Sequence, residues 1–168
     1  MEKSNQDKVA VEERGATPPE RLWNAEYCKV MCSNFLLFFA FYLLTPLLPI
    51  YLDRQFAADK DTIGIVLSGY VIATFLVRPF SGFFVDSFNR KRVLVICFFA
   101  FFICFAGYIG AGTLLMFAII RTMHGIPFGA ATVANSTVAI DVLPSSRRNE
   151  GIGYYGLSNN LAMALAPS

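Results

Sequence analysis

The chain alternates between long uncharged apolar stretches and short polar connections. No Asp, Glu, Lys or Arg occurs from Val30 to Leu52, and from Val93 to Ile140 the only such residue is Arg121. An apolar run of about 20 residues spans the roughly 30 Å hydrocarbon core of a bilayer as an α-helix. The pattern therefore predicts an all-α membrane protein, with the lipid bilayer as its first partner.

The apolar stretches predict four complete transmembrane helices and the start of a fifth. Residues 1–29 are polar and mixed in charge, and we expect them to form a tail outside the membrane. The predicted spans cover about residues 30–52, 63–85, 93–109 and 113–138, and a fifth runs from about 151 to 168. Because the last stretch is still apolar at residue 168, we expect the chain to be the N-terminal part of a longer protein.

Lysine and arginine are unevenly divided among the predicted connections. The tail, the 2–3 loop and the 4–5 loop together carry ten of these residues, the 1–2 loop carries two, and the 3–4 turn carries none. Because cytoplasmic loops carry the excess of Lys and Arg, we predict a cytoplasmic N-terminus. The expected location is the plasma membrane, taken here as a bacterial inner membrane.

Composition narrows the function classes. Charged residues make up 15% of the chain, whereas soluble domains average about 25%. The net charge of +2 gives no reason to expect a nucleic-acid partner. The four cysteines lack CxxC spacing, so neither a metal site nor a disulfide framework is predicted. His124 has no acidic partner at a catalytic spacing, so we expect no enzyme, no catalytic residues and no cofactor.

The loop between spans two and three has a distinctive order of residues. Gly82 is followed one turn later by Asp86, and then by the basic residues Arg90 and Lys91. A glycine at this position allows a partner helix to approach closely. An acidic residue at the end of a span can accept hydrogen bonds from an arginine or a helix N-terminus, and so latch two helices together.

This loop resembles the signature G-x-x-x-D-R/K-x-G-R/K-R/K of the major facilitator superfamily, which lies between the second and third spans. The chain departs from it at Ser87, where the family has a basic residue, and at Asn89, where it has Gly. Asn tolerates a left-handed turn better than other non-glycine residues, so we expect Asn89 to replace that glycine.

Span four is similar to the R-x-x-x-G helix of the same family, with Arg121 and Gly125 in the matching places. The resemblance implies a role for Arg121 in proton coupling, and the alternative is an arginine that extends to the outer interface. His124 is either a second proton-carrying group or a hydrogen-bonded filler. Gly125 and Gly129 form a GxxxG pattern, which predicts close packing against another helix.

The 4–5 loop resembles the family's D-x-x-P-x-x-x-R segment. The resemblance implies that Asp141 pairs with Arg90, and that both join Asp86 in a cytoplasmic gating cluster. To this cluster we also assign Gly82, Lys91 and Arg147. Further candidates are polar residues that we expect to line a substrate cavity, namely Asn34 and Tyr42 in span one and Asn159 and Asn160 in span five.

The resemblance implies a twelve-span transporter in which two six-helix bundles expose a central site alternately to the two faces of the membrane. Its expected partners are a small solute, protons and the missing C-terminal half. Proton-coupled efflux and uptake are both compatible with the sequence. The alternative is a small homo-oligomeric multi-span protein or scaffold without transport activity.

Overall fold

The computed structural model describes residues 21–166, which form five α-helices and one short 3-10 turn. The helices are α1 (Ala25–Phe56), α2 (Lys60–Ser87), α3 (Arg90–Ile109), α4 (Leu114–Val142) and α5 (Arg148–Leu165), with the 3-10 turn Ser145–Arg147 before α5. The prediction of an all-α membrane protein is confirmed. Most of the predicted tail, residues 1–20, lies outside the described residues, as do residues 167–168.

Four of the described helices, α1 to α4, are long and apolar enough to cross a membrane. Each of the four complete predicted spans lies within one of them, apart from Thr113, which caps the N-terminus of α4, and the predicted fifth span begins within α5. α1 begins at Ala25, inside the segment predicted as tail, because Asn24 caps it by accepting a 2.7 Å hydrogen bond from the Tyr27 backbone N–H. α1 also continues through Pro46 and Pro49 without interruption.

α4 is the central helix of the described bundle. It packs most extensively against α2 and α3, whereas α1 packs mainly against α5 and less extensively against α4. α4 carries small residues at its contacts, among them Ala131 and Ala134, each fully buried. Large apolar side chains such as Phe75 and Phe83 remain exposed on the outer faces, as a helix in contact with lipid requires.

The helix ends fall into two groups. At one end, called the basic end here, α1, α3 and α5 begin and α2 and α4 finish, as two contacts show: Lys91 Nζ donates to Glu26 at 2.9 Å, and Asn24 donates to the Val142 carbonyl at 3.0 Å. The opposite end holds the α1–α2 and α3–α4 connections. The helices therefore run alternately up and down, as consecutive membrane crossings require.

Candidate functional site

A buried polar centre lies between α2, α3 and α4, towards the opposite end. α4 contributes Arg121 and His124, one turn apart, and their exposed fractions are 4% and 0%. α3 contributes Tyr108 from its last turn, and α2 contributes Tyr70, which is 2% exposed. Because α4 packs closely on both neighbours, all four side chains are held against one another.

Tyr108 joins the two basic side chains of this centre. Its hydroxyl lies 3.3 Å from Arg121 Nη1 and 2.8 Å from His124 Nδ1. The Arg121 guanidinium carbon lies 3.9 Å from the centroid of the Tyr70 ring, which is a cation–π contact. The Arg121 side chain is therefore directed into the described bundle, onto Tyr70 and Tyr108.

Aromatic rings surround His124. The ring centroids of Phe101 and Phe105 lie 4.5 Å and 5.0 Å from that of His124, and Phe101 is itself in contact with Phe128. Such a low-dielectric environment strengthens hydrogen bonds and penalises unpaired charge. The imidazole thus has one polar neighbour for Nδ1 and aromatic faces on its other sides.

Several buried polar atoms of the centre have no hydrogen-bond partner within residues 21–166. They are Tyr70 Oη, Arg121 Nε and His124 Nε2. In the same range Arg121 forms no ion pair with a carboxylate. Since buried polar groups are normally satisfied, the centre is a positively charged site with unused hydrogen-bonding capacity.

A second set of charged side chains lies at the basic end. The Arg90 guanidinium donates to both carboxylate oxygens of Asp141 and, at 3.5 Å, to Asp86. The structure therefore brings Asp86, Arg90 and Asp141 together across α2, α3 and α4. Lys91 pairs instead with Glu26 of α1. These side chains are between 39% and 72% exposed, so each pair contributes little free energy of folding.

The remaining gating candidates lie apart from this cluster. Arg147 pairs with Glu150, one turn away in its own segment, with its Nη2 atom 2.8 Å from Glu150 Oε1. A Cβ atom added to Gly82 would meet nothing within 4 Å, so no helix of the described residues packs closely there. Asn89 has φ −63° and caps α3 by accepting from the Arg92 N–H, so the expectation of a left-handed turn is wrong.

The predicted glycine packing is present between α4 and α2. A Cβ at Gly125 would overlap the Tyr70 carbonyl oxygen, and one at Gly129 would lie 2.7 Å from that of Thr74. Thr74 Oγ1 also donates to the Gly125 carbonyl at 3.0 Å. α2 contributes a glycine of its own, Gly69, where a Cβ would lie 2.5 Å from Thr122 Oγ1; sequence reasoning missed it because it has no GxxxG partner.

The cavity candidates are separated in the structure. Asn34 is fully buried where α1, α4 and α5 meet, and its amide donates to Ser158 Oγ at 2.8 Å and accepts from Asn135 at 3.4 Å. Tyr155 extends this junction, with its hydroxyl 3.1 Å from Asn135 Nδ2. Asn34 is thus a link between helices in this arrangement, and its side chain is not open to a cavity.

The other three cavity candidates differ in environment. Tyr42 is half-buried beside the Phe38 and Phe41 rings. Asn160 is exposed, and Asn159 is half-buried with its Oδ1 atom buried and without a partner in the described range. Within residues 21–166 no group of three or more His, Cys, Asp or Glu side chains could hold a metal ion.

The chain is a polytopic α-helical membrane protein, as its long apolar helices and their alternating up-and-down order show. The sequence profile of the Major Facilitator Superfamily matches residues 30–168. The chain belongs to this superfamily, and the resemblance seen in its loops is confirmed.

Curated relatives include three bacterial proteins. The chain is 28% identical to the tetracycline resistance protein, class B, of Escherichia coli, over 74% of this chain and 31% of the relative. It is 24% identical to the Na(+), Li(+), K(+)/H(+) antiporter of Planococcus maritimus (86% and 35%) and 24% identical to the staphylopine export protein of Staphylococcus aureus (68% and 28%). The chain therefore spans about a third of the length of these relatives.

Proposed function

We propose that this chain forms part of a proton-coupled transporter that exports a small solute by alternating access. The observation that carries the proposal is Arg121, a cation buried in the described bundle without a carboxylate partner there. A charged side chain at membrane depth costs at least about 2.5 kcal/mol when unpaired, and such residues typically serve ion or substrate pathways.

The neighbours of Arg121 favour proton coupling. The His124 imidazole is a side chain that can carry a proton, and Tyr108 connects it to Arg121 through two hydrogen bonds. A change of charge on the imidazole would therefore alter the electrostatic energy and the hydrogen bonding of the guanidinium. The name of one relative describes cation/proton antiport, which supports exchange of a solute against protons.

The direction of transport is taken from the relatives. One has a name that describes export and another confers resistance to tetracycline, so we propose outward movement of solute with inward movement of protons. The cluster of Asp86, Arg90 and Asp141 would then hold α2, α3 and α4 together at the cytoplasmic face. This assignment places the basic end in the cytoplasm, in keeping with the distribution of Lys and Arg.

The whole transporter would need a second helical bundle beyond this chain. The supporting fact is length, because the chain matches about a third of each relative described above. The solute would bind between the two bundles, near the bilayer midplane. We include Tyr42, Asn159 and Asn160 among the candidates to line that space, whereas Asn34 would reach it only after the α1–α5 junction opens.

The test uses inside-out membrane vesicles from cells that produce the full gene product. A respiratory proton gradient is established, and its dissipation is recorded with a pH-sensitive dye on addition of tetracycline, Na⁺ or K⁺, the solutes named for two relatives. We expect a solute-dependent loss of the gradient that Arg121→Ala abolishes.

Arg54→Ala is the matched control, since Arg54 is an exposed arginine near the end of α1 and has no ion pair in the described range. It should leave the signal unchanged. Equal proton movement in wild type and Arg121→Ala, at equal expression, would show that Arg121 is structural. Gradient-driven accumulation in right-side-out vesicles would reassign the direction to uptake.

A further inference from the structure

We infer that Tyr108 is a positioning residue that fixes the protonation pattern of His124 and holds Arg121 against it. The inference about His124 stands on geometry alone, and its consequence for transport rests on the proposed function. No motif in the sequence marks Tyr108, which lies in the last turn of α3 among apolar residues.

The direction of the hydrogen bonds follows from the donors available. A guanidinium has only N–H donors, so in the 3.3 Å contact Arg121 Nη1 donates and the Tyr108 oxygen accepts. The Tyr108 O–H is then free to donate, and His124 Nδ1 lies 2.8 Å away. If Nδ1 carried the proton instead, the Tyr108 oxygen would accept twice and the Tyr108 O–H would have no acceptor in the described range, so we assign Nδ1 as the acceptor and the proton of the neutral imidazole to Nε2.

The surroundings of His124 are mainly aromatic and offer its Nε2 atom no hydrogen-bond partner in the described range. Tyr70 of α2 presents its ring at 5.8 Å and nearly perpendicular to the imidazole, and α3 adds Phe101 and Phe105. α1 reaches the centre through Phe41, which stacks on Tyr70. In the described range Arg121 is thus the charged group beside the imidazole, and Tyr108 is its hydrogen-bonding partner.

Protonation of His124 would change this chain of hydrogen bonds. With a second proton on Nδ1, the imidazolium becomes a donor towards the Tyr108 oxygen, which already accepts from Arg121. The Tyr108 O–H would then have to rotate away from His124, towards aromatic rings that offer it no strong hydrogen-bond acceptor. The imidazolium and the guanidinium would then both donate to one oxygen and repel each other, so proton uptake at Nδ1 favours release of the guanidinium.

The first experiment observes the imidazole nitrogens directly. His124 is the single histidine of this chain, so ¹⁵N-histidine labelling of the protein in lipid nanodiscs gives a small set of signals, and His124→Gln identifies the relevant pair. We expect a proton on Nε2 and a hydrogen-bonded, unprotonated Nδ1 at neutral pH. In Tyr108→Phe the Nδ1 signal should shift to the position of a free imidazole nitrogen.

Tyr51→Phe is the control, because Tyr51 is exposed on α1 and its ring, like that of Tyr108, packs on Phe117. It should leave both nitrogen signals in place. A wild-type proton on Nδ1, or an Nδ1 signal unchanged by Tyr108→Phe, would overturn the inference whether or not the protein transports protons.

The second experiment uses the vesicle assay across a range of pH. Loss of a hydrogen bond to a charged group corresponds to roughly ten-fold or more in rate, so Tyr108→Phe should lower proton-driven transport by about that factor and displace the midpoint of its pH profile. If Arg121→Ala abolishes transport but Tyr108→Phe keeps the wild-type rate and midpoint, the inference fails and the proposed function stands. If wild-type transport needs no proton gradient, the proposed function fails, and the nitrogen signals still decide the geometry.

Discussion

The contact between α2 and α4 can be tested by adding a single methyl group. Gly125→Ala places a Cβ against the Tyr70 carbonyl oxygen, 3.0 Å from Thr74 Oγ1 and 3.1 Å from Ala73 Cβ. The first of these obstacles is backbone, which no rotamer change can move. The two helices must therefore separate, and Gly125→Ala should destabilise the bundle.

The size of the effect follows from three contributions. Overpacking a tight contact costs typically about 1–3 kcal/mol. Weakening the Thr74–Gly125 hydrogen bond costs roughly 0.6 kcal/mol within a membrane. Alanine returns at most about 1 kcal/mol through its better helix propensity. With the full propensity gain, the net expectation is a loss of about 0.6–2.6 kcal/mol in the free energy of unfolding.

Gly64→Ala supplies the comparison. Gly64 is also a helical glycine, in α2, but a Cβ there would meet nothing within 4 Å in the described bundle. Only the propensity gain remains, so this variant should be neutral or slightly more stable. The assay is unfolding in mixed micelles of rising SDS fraction, followed by circular dichroism. Equal midpoints for Gly125→Ala and Gly64→Ala would refute the close approach of α2 and α4.

Two further predictions concern the polar links between helices. Asp141→Asn weakens the contact of Arg90 with residue 141 at the basic end. Because both side chains are about 40% exposed, the free energy of unfolding should change by less than about 1 kcal/mol, while the transport rate falls. A loss of several kcal/mol would show that this ion pair stabilises the fold and does not act only at the surface. Asn34→Leu removes one hydrogen-bond partner from each of Ser158 and Asn135 in a buried junction, so it should cost about 1–2 kcal/mol in the same micelle assay. Asn160→Leu on the exposed face should stay within about 0.5 kcal/mol, and equal effects of the two variants would contradict the junction.

The helices were predictable because their length and lack of charge are imposed by the bilayer. Their ends were less so, since a cap such as Asn24 depends on one local hydrogen bond that apolar patterning does not reveal. Arg121 was found because it is the one charged residue in a long apolar segment. Its partners were not, because Tyr70 and Tyr108 lie on other helices and resemble any aromatic residue of a span.

The roles of the polar residues were even harder to predict from the sequence. Asn34 and Asn135 each lie in an otherwise largely apolar helix, and both are compatible with a cavity until the packing of α1 on α4 is known. Likewise the family signature indicated candidate residues in the 2–3 loop, but not that Lys91 would pair with Glu26. Which side chains pair between two helices depends on how each helix is rotated about its own axis. A sequence pattern shows which side of a helix is apolar, but it does not show which residues of a neighbouring helix that side meets.

α4 carries both Arg121 of the buried polar centre and Asp141 of the basic end, and it connects these two regions through its rigid backbone and not through direct electrostatic interaction. Arg121 and Asp141 lie 20 residues apart on one continuous helix, which corresponds to roughly 30 Å. Direct interaction over that distance is weak, whereas the glycine contacts bind α2 to α4 between the two regions and so resist independent movement of either end. Hydrogen bonds join α1 to α5 at Asn34–Ser158 and Tyr27–Gly151. Asn135 of α4 contacts Ser33 and Asn34 of α1 and Tyr155 of α5. A change at Arg121 can therefore reach Asp141 as a displacement of α2, α3 and α4 together, and the hydrogen bonds of Asn135 are among the polar links across which that displacement would occur.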